Sequence, residues 1–451
     1  MQFSQDFLWG AASASQQVEG AYLDDGKGLS IWDAYIQDGG RTHRNETGNI
    51  ACDHYHRFRE DVAIMKEMGL KSYRLSISWS RVLPEGTGKI NEKGLQFYSD
   101  LIDELLAAGI EPMVTLFHWD YPLALHHKGG WLNRASADWF AEYTKVVVDA
   151  LSDRVQYWMT INEPQVFIGN GYESGCFAPF EQRPRAEIAL MCHHVLLAHG
   201  KSVQVIREYA KKKPIIGFAV VTPAYTPKST SVEDIADAKR RTFAYEDESL
   251  AYNNTWWTDP ILRGTYPEDG VKALGNKMPE ILPGDMETIS APVDFYGVNL
   301  YISKADTNPG QQSDSIYTGC PRTSMGWPLT PETLYWSPKF LYERYQKPIL
   351  ITENGVALPD WIALDGKVHD PQRIDFLKRY LRELYRAIEE GVPVLGYTYW
   401  SEMDNFEWAS GYDARFGLVY VDYRTQERTI KDSGYFYHDV INSNGAVLFE
   451  D

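Results

Sequence analysis

Short runs rich in β-branched and aromatic residues alternate along the chain with longer stretches whose apolar residues recur at helical spacing. Eight runs read as buried strands: Phe7–Ser13, Ser72–Ser78, Glu111–His118, Gln156–Asn162, Pro214–Val221, Phe295–Tyr301, Pro348–Asn354 and Val394–Ser401. Between them, Arg57 to Met68 places Phe58, Val62, Met65 and Met68 along one helical face. Lys93 to Ala108 carries Leu95, Tyr98, Leu101, Ile102, Leu105 and Leu106 in the same way until Gly109 stops it. Ile188 to Tyr209 and Asp375 to Glu390 follow the pattern, the latter ending at Gly391. Repeated βα units predict an α/β fold, a closed (β/α)8 barrel of the TIM type. No Gly/Ser- or Pro-rich linker divides the chain, so residues 1–451 are expected to form one domain. A doubly wound sheet is the competing topology. It would bring a phosphate-binding glycine turn, and the chain has neither GxGxxG after its first strand nor a Walker sequence.

Charge and composition narrow the partners. Lys and Arg number 44 against 62 Asp and Glu, a net charge of −18 over 451 residues. Such a balance repels nucleic acid and gives no general attraction to an anionic membrane. No apolar run approaches the roughly 18 residues of a membrane span. The start, Met1-Gln2-Phe3-Ser4-Gln5-Asp6, has no basic region and reads as no secretory signal. Cys52, Cys176, Cys192 and Cys320 are widely spaced and form no CxxC, so a cytoplasmic location is expected. The aromatic content of 14 Trp, 29 Tyr and 18 Phe is high. It serves a large core, an interface or a stacking surface for a ligand.

In a barrel of this kind the reacting groups stand where strands end. Those ends are chemically rich: Gln17 and Glu19 after the first, Arg81 after the second, His118-Trp119-Asp120 at the third. Asn162-Glu163-Pro164 closes the fourth, Asn299 and Tyr301 the sixth, Glu353-Asn354-Gly355 the seventh and Trp400-Ser401-Glu402 the eighth. Any one polar end could mark only where strand meets loop; most of them together resemble an active-site rim. Glu163 and Glu353 each follow a buried-looking run, on the fourth and seventh strands. Two carboxylates flanking one bond are the equipment of glycoside hydrolysis, and a separation of about 5 to 5.5 Å goes with retention of configuration. Glu163 has no cation close in sequence, so burial could raise its pKa towards the range of a general acid. Arg74, on the second strand, could point into the mouth and keep Glu353 ionised.

These residues belong to segments that resemble family 1 glycoside hydrolases, over nearly the whole chain and in order. The segments are Phe7 to Gly20, Tyr73 to Arg81, Leu116 to Asp120, Thr160 to Pro164, Ile351 to Gly355, Asp404 to Trp408 and Arg415 to Leu418. The resemblance implies a retaining β-glycosidase on a (β/α)8 barrel, with Glu163 as acid/base and Glu353 as nucleophile. Arg74, Asn299 and Tyr301 would support the nucleophile. Gln17, His118, Asn162 and Glu407 would bind sugar hydroxyls, Trp400 would lie under the ring, and Trp408 would donate from its indole, with Tyr301 also at the substrate. No cofactor and no metal is implied. Members that take 6-phosphosugars replace the glutamate at the position of Glu407, whose charge would repel phosphate, so non-phosphorylated glycosides are expected. The chain departs from the family at Phe180, usually glycine, at Tyr121, usually leucine, at Met403, and in the polar stretch Ala305 to Gly319. These put the leaving-group preference in doubt, not the reaction.

Other features have plain readings. His193-His194 and His199 lack a nearby carboxylate in sequence and read as structural, as do His54 and His56. Arg240-Arg241 and Lys211-Lys212-Lys213 read as solvated helix ends, and Trp256-Trp257 as packing. Trp327 resembles a rim tryptophan of the family and is a candidate contact for the leaving group. The expected activity is release of terminal β-D-glucosyl residues, with galactosyl and fucosyl as further candidates, from small β-glycosides or oligosaccharides. The alternatives are a non-hydrolytic sugar-binding protein on the same fold and a transglycosylase. Oligomeric state is not readable from the chain.

Overall fold

The structure is a computed structural model that describes residues 1–304 and 319–450. The polar stretch from Ala305 lies, apart from Gly319, outside the described residues. Eight parallel strands close in chain order: β1 (Leu8–Ala12), β2 (Ser72–Ser76), β3 (Glu111–Thr115), β4 (Tyr157–Asn162), β5 (Ile215–Val221), β6 (Tyr296–Asn299), β7 (Ile349–Asn354) and β8 (Val394–Trp400). β8 pairs with β1 from Leu8↔Gly396 to Ala12↔Trp400, which leaves no free edge in the barrel. All eight predicted runs are present. β2 and β3 end earlier than predicted, although the Ile77 N–H still donates to the Thr115 carbonyl at 3.0 Å and the Leu116 N–H to the Met159 carbonyl at 2.8 Å.

Helices cover the outside as the apolar stripes require: His54–Glu67, Glu92–Ala107, Arg185–Tyr209 and Pro371–Glu389 match the predicted stretches within a few residues. An antiparallel hairpin, β9 (Val419–Asp422) and β10 (Glu427–Ile430), follows β8. Arg428 ties it to the first of these helices, its Nε donating to Asp61 Oδ1 at 2.8 Å. Among the described residues no helix is long and apolar enough to cross a membrane.

Inside the barrel, Met113, Met159 and Leu350 from three strands and Phe295 from just before β6 form an apolar layer, all fully buried. Gly217 makes room for it, since an added Cβ there would lie 2.4 Å from the Phe295 ring. Above this layer the registers break. Bulges interrupt the pairing between Met159 and Asn162, between Val298 and Asn299, and between Ile351 and Asn354. A bulge re-aims the side chain that follows it. Here the re-aimed residues are Asn162, Asn299 and Glu353.

Candidate active site

Four strands bring their polar ends to one point. Arg74, fully buried on β2, donates from Nη1 to Glu353 Oε1 at 2.5 Å and to the Thr352 carbonyl at 3.0 Å. Its Nη2 reaches Asn162 Oδ1 at 2.6 Å and its Nε reaches Thr115 Oγ1 at 3.1 Å. The guanidinium is thereby fixed by β3, β4 and β7 at once. The Tyr301 hydroxyl donates to the other Glu353 oxygen, Oε2, at 2.7 Å. Asn299 donates from Nδ2 to Glu163 Oε1 at 2.8 Å and to Asn162 Oδ1 at 3.0 Å. Thr352 Oγ1 donates to Asn299 Oδ1 at 2.6 Å and so sets the orientation of that amide.

Glu163 stands in the left-handed region, at φ 45° and ψ 64°, between the end of β4 and the helix Pro164–Ile168. That conformation is strained for a residue with a side chain. It is held from both sides, by the Glu163 N–H donating to the Ala219 carbonyl at 2.8 Å and by the proline that starts the helix. The strain turns the carboxyl off the strand and into the mouth.

The two carboxyls differ in their partners. Burial raises the pKa of Glu163 far above the usual carboxylate range and the charge of Glu353 adds to the rise, against the Asn299 amide and the charge of Arg74. Burial raises Glu353 as well, but Arg74, Tyr301 and Asn299 pull it back. Glu353 is therefore the more acidic of the pair, and a single negative charge settles there.

The sugar-sized end is closed by the segment after β8. Asp404 anchors it, accepting from Arg415 Nη1 at 2.7 Å, Lys431 Nζ at 2.7 Å and the Gly417 N–H at 2.9 Å. Gln17 then joins β1 to this segment, donating from Nε2 to Asn405 Oδ1 at 3.0 Å and Glu407 Oε2 at 3.1 Å. Gln17 Oε1 and His118 Nδ1 are buried with no protein partner. Asn162 Nδ2 is 3.1 Å from His118 Nε2, which leaves Nδ1 to carry the ring proton. Burial, with Arg74 second, keeps His118 well below its ordinary pKa and so neutral. One free acceptor and one free donor at the same wall match the hydroxyls of a sugar. The Trp400 ring lies nearly parallel to His118, centroids 5.7 Å apart, and Trp408 packs on Trp119 at 4.6 Å and Trp32 at 4.7 Å.

A cavity of about 460 Å³ joins these groups. His118, Glu163, Asn299, Tyr301, Glu353, Trp400, Glu407 and Trp408, all expected at the site, line it, as does Trp327. Gln17, Arg74 and Asn162 are buried just behind this lining; Arg74 and Asn162 act through the bonds above, and Gln17 keeps its unpartnered Oε1 for a hydroxyl. One expectation changes. Burial, with the charge of Glu353 second, pushes the Glu407 carboxyl up to about 8. It is therefore mostly protonated at neutral pH, and charge repulsion is not what excludes a phosphate. Among the described residues the lining instead contains no lysine or arginine to receive one. Phe180, Tyr121 and Met403 do not line the cavity. Phe180 has φ 61°, a region glycine favours, and its ring rests under Arg41 at 4.7 Å.

Some strand-end residues serve structure alone. Glu19 accepts from Arg81 Nε at 2.8 Å and from the Tyr98 hydroxyl at 2.6 Å, outside the cavity. His193 does meet a carboxylate that sequence proximity hides, Asp285, at 2.9 Å, and the pair pins two helices. Among the described residues no three His, Cys, Asp or Glu side chains gather as a metal site. Three functional contributions escape sequence reading. Asn405 orients Gln17, Trp32 backs Trp408, and Val166, Val221 and Tyr252 shape the outer cavity. Proximity to Glu163 could have found Val166, which lies in the short helix that Pro164 starts. Nothing local points to the others.

A closed parallel barrel with two coupled carboxyls over a cleft of indoles and amides defines a class, the (β/α)8 glycoside hydrolases. A sequence profile described as glycosyl hydrolase family 1 matches residues 1–446. β-Glucosidase A of Thermotoga maritima is 45% identical over 447 residues, covering 98% of each chain. A 1,4-β-D-glucan glucohydrolase of Thermotoga neapolitana is 45% identical over 448 residues, covering 98% of this chain and 99% of the relative. The solved β-glucosidase of Thermotoga maritima in complex with glucoimidazole superposes with a TM-score of 0.90 at 44% identity, covering 98% of this chain and 99% of that one. The chain belongs to glycosyl hydrolase family 1.

Proposed function

We propose that this protein is a retaining β-glucosidase, acting as one (β/α)8 domain, that releases terminal β-D-glucosyl residues from small non-phosphorylated β-glycosides. The observation that carries this reading is the unequal holding of the two carboxyls. Arg74 and Tyr301 occupy both oxygens of Glu353, while Glu163 keeps a raised pKa. Glu353 attacks the anomeric carbon as the glycosidic C–O bond breaks, and Glu163 gives its proton to the leaving oxygen. Glu163, now a carboxylate, takes a proton from water; that water attacks the same carbon and frees Glu353. Gln17, His118 and Glu407 hold the sugar hydroxyls and Trp400 its apolar face. Arg74, Asn162 and Asn299 position the two carboxyls, and Trp408 closes the end of the cleft.

The test is an azide rescue. Glu353→Ala should lose hydrolysis of an activated aryl β-glucoside, and added azide should restore part of it and give the α-glucosyl azide. Retained hydrolysis without azide, or a β-azide product from that variant, would overturn the assignment.

A further inference from the structure

The inner and outer halves of the catalytic cavity have opposite chemistry. The inner half presents carboxyls, amides, a neutral histidine and indoles. The outer half, where a leaving group must sit beyond Glu163, is walled by Val166, Val221, Pro223, Ile302, Met325 and Trp327, all only partly buried because they face the cavity. Among the described residues two polar side chains, Asn170 and Tyr252, share this wall, and the Tyr252 hydroxyl donates to Asn170 Oδ1 at 2.9 Å. Val166 lies in the short helix Pro164–Ile168 that begins right after Glu163, and Asn170 in the turn that follows it, so the acid/base and this part of the outer wall come from one continuous segment.

We propose that this outer half selects an apolar alkyl or aryl aglycone over a second sugar ring; the inference rests on the β-glucosidase reading above. A sugar in this space would bring several hydroxyls against valine, isoleucine, proline and methionine, and each hydroxyl that loses water without a partner weakens binding. An alkyl chain loses nothing there, and each methylene it buries is worth roughly threefold to fourfold in affinity. The total volume, about 460 Å³ for both halves, suits one sugar with one modest aglycone. Trp327 adds a flat face at the rim, its ring 5.3 Å from Tyr301.

The experiment compares kcat/KM for methyl, butyl and hexyl β-D-glucosides and for cellobiose under one condition. A simple alcohol is a poorer leaving group than a sugar hydroxyl, so any advantage of the hexyl compound over cellobiose reports binding, not bond strength. The expected result is a rise of about threefold per methylene over the first few carbons. Hexyl β-glucoside should exceed cellobiose by about tenfold or more. Val221→Asn and Val166→Asn should each lower the hexyl-to-cellobiose ratio by about tenfold, mainly through KM. Val221→Thr, close in shape, should move it the same way by less. Because each ratio is internal to one protein sample, partial misfolding does not change it. A flat alkyl series, a ratio that favours cellobiose, or a ratio unmoved by all three variants overturns the selection. Failure to cleave any β-glucoside, the activated aryl compound included, overturns the β-glucosidase reading instead.

Discussion

The two ends of the barrel interior are built from the same strands and do opposite things. At the lower end Met113, Met159, Phe295 and Leu350 fill the space with apolar side chains that have no charge to satisfy. A few residues further along, those strands or their neighbours supply Arg74, Asn162, Glu163, Asn299 and Glu353, a network whose members hold each other at hydrogen-bond distance. The lower end gains stability from burial, and the bulges that re-aim Asn162, Asn299 and Glu353 lie above that layer. The upper end keeps buried carboxyls at raised pKa, which opposes stability as pH rises and supplies the proton donor. Stability and function are separated along the barrel axis, as the fold permits.

Substitutions at either end should divide along this line. The largest effect is expected for Glu353→Ala, a loss of about 10⁴- to 10⁶-fold in kcat/KM, or roughly 5 to 8 kcal/mol of transition-state stabilisation. Next comes Asp120, a buried carboxyl of the upper end pushed up to about 7 by burial, with Oδ1 unpartnered. Its folded pKa lies above the unfolded value of about 3.9, so the folded state holds the proton more tightly. The resulting stabilisation is complete below about pH 4 and is lost as pH rises through 7. Asp120→Asn should therefore gain on the wild type between those limits, by up to about 4 kcal/mol, in denaturant titrations at several pH values. Parallel curves for the two proteins would count against it.

For the lower end, Phe295→Ala should cost about 3 to 5 kcal/mol of unfolding free energy at every pH, through the cavity it leaves. Active-site titration of the folded fraction should show kcat nearly unchanged. A matching loss of kcat would mean the plug reaches the chemistry. The smallest effect is expected for Tyr301→Phe. Losing a hydrogen bond to a carboxylate is worth about 1.5 to 3 kcal/mol, or roughly 10- to 150-fold in kcat/KM. Because that donor favours the ionised form of Glu353, the acidic limb of the pH–rate profile should move to higher pH. A smaller kcat/KM with an unmoved limb would assign Tyr301 to the substrate instead of the nucleophile.

Much of this was legible in the chain. The alternation of apolar runs with amphipathic stretches gives all eight strands, because strand and helix periodicities are local properties of side-chain order. Glu163 and Glu353 are visible as carboxylates ending apolar runs. Arg74 is visible as a cation inside one, and a buried cation must find a partner. Less legible are Asp285 beside His193 and Asn405 beside Gln17, because those partners lie 92 and 388 residues apart along the chain. The Glu407 charge was misjudged for a related reason. The residue type says carboxylate, but burial beside Glu353 decides whether it keeps its proton.

The sequence by itself determined the barrel, its strand ends and the set of groups available for chemistry, since each follows from side-chain patterns a few residues long. Only the tertiary structure decided which ends meet, which carboxyl keeps the proton, and that the outer cavity wall is apolar. Those outcomes depend on barrel closure, on three bulges that re-aim the chain, and on the removal of water from charges that distant strands bring together.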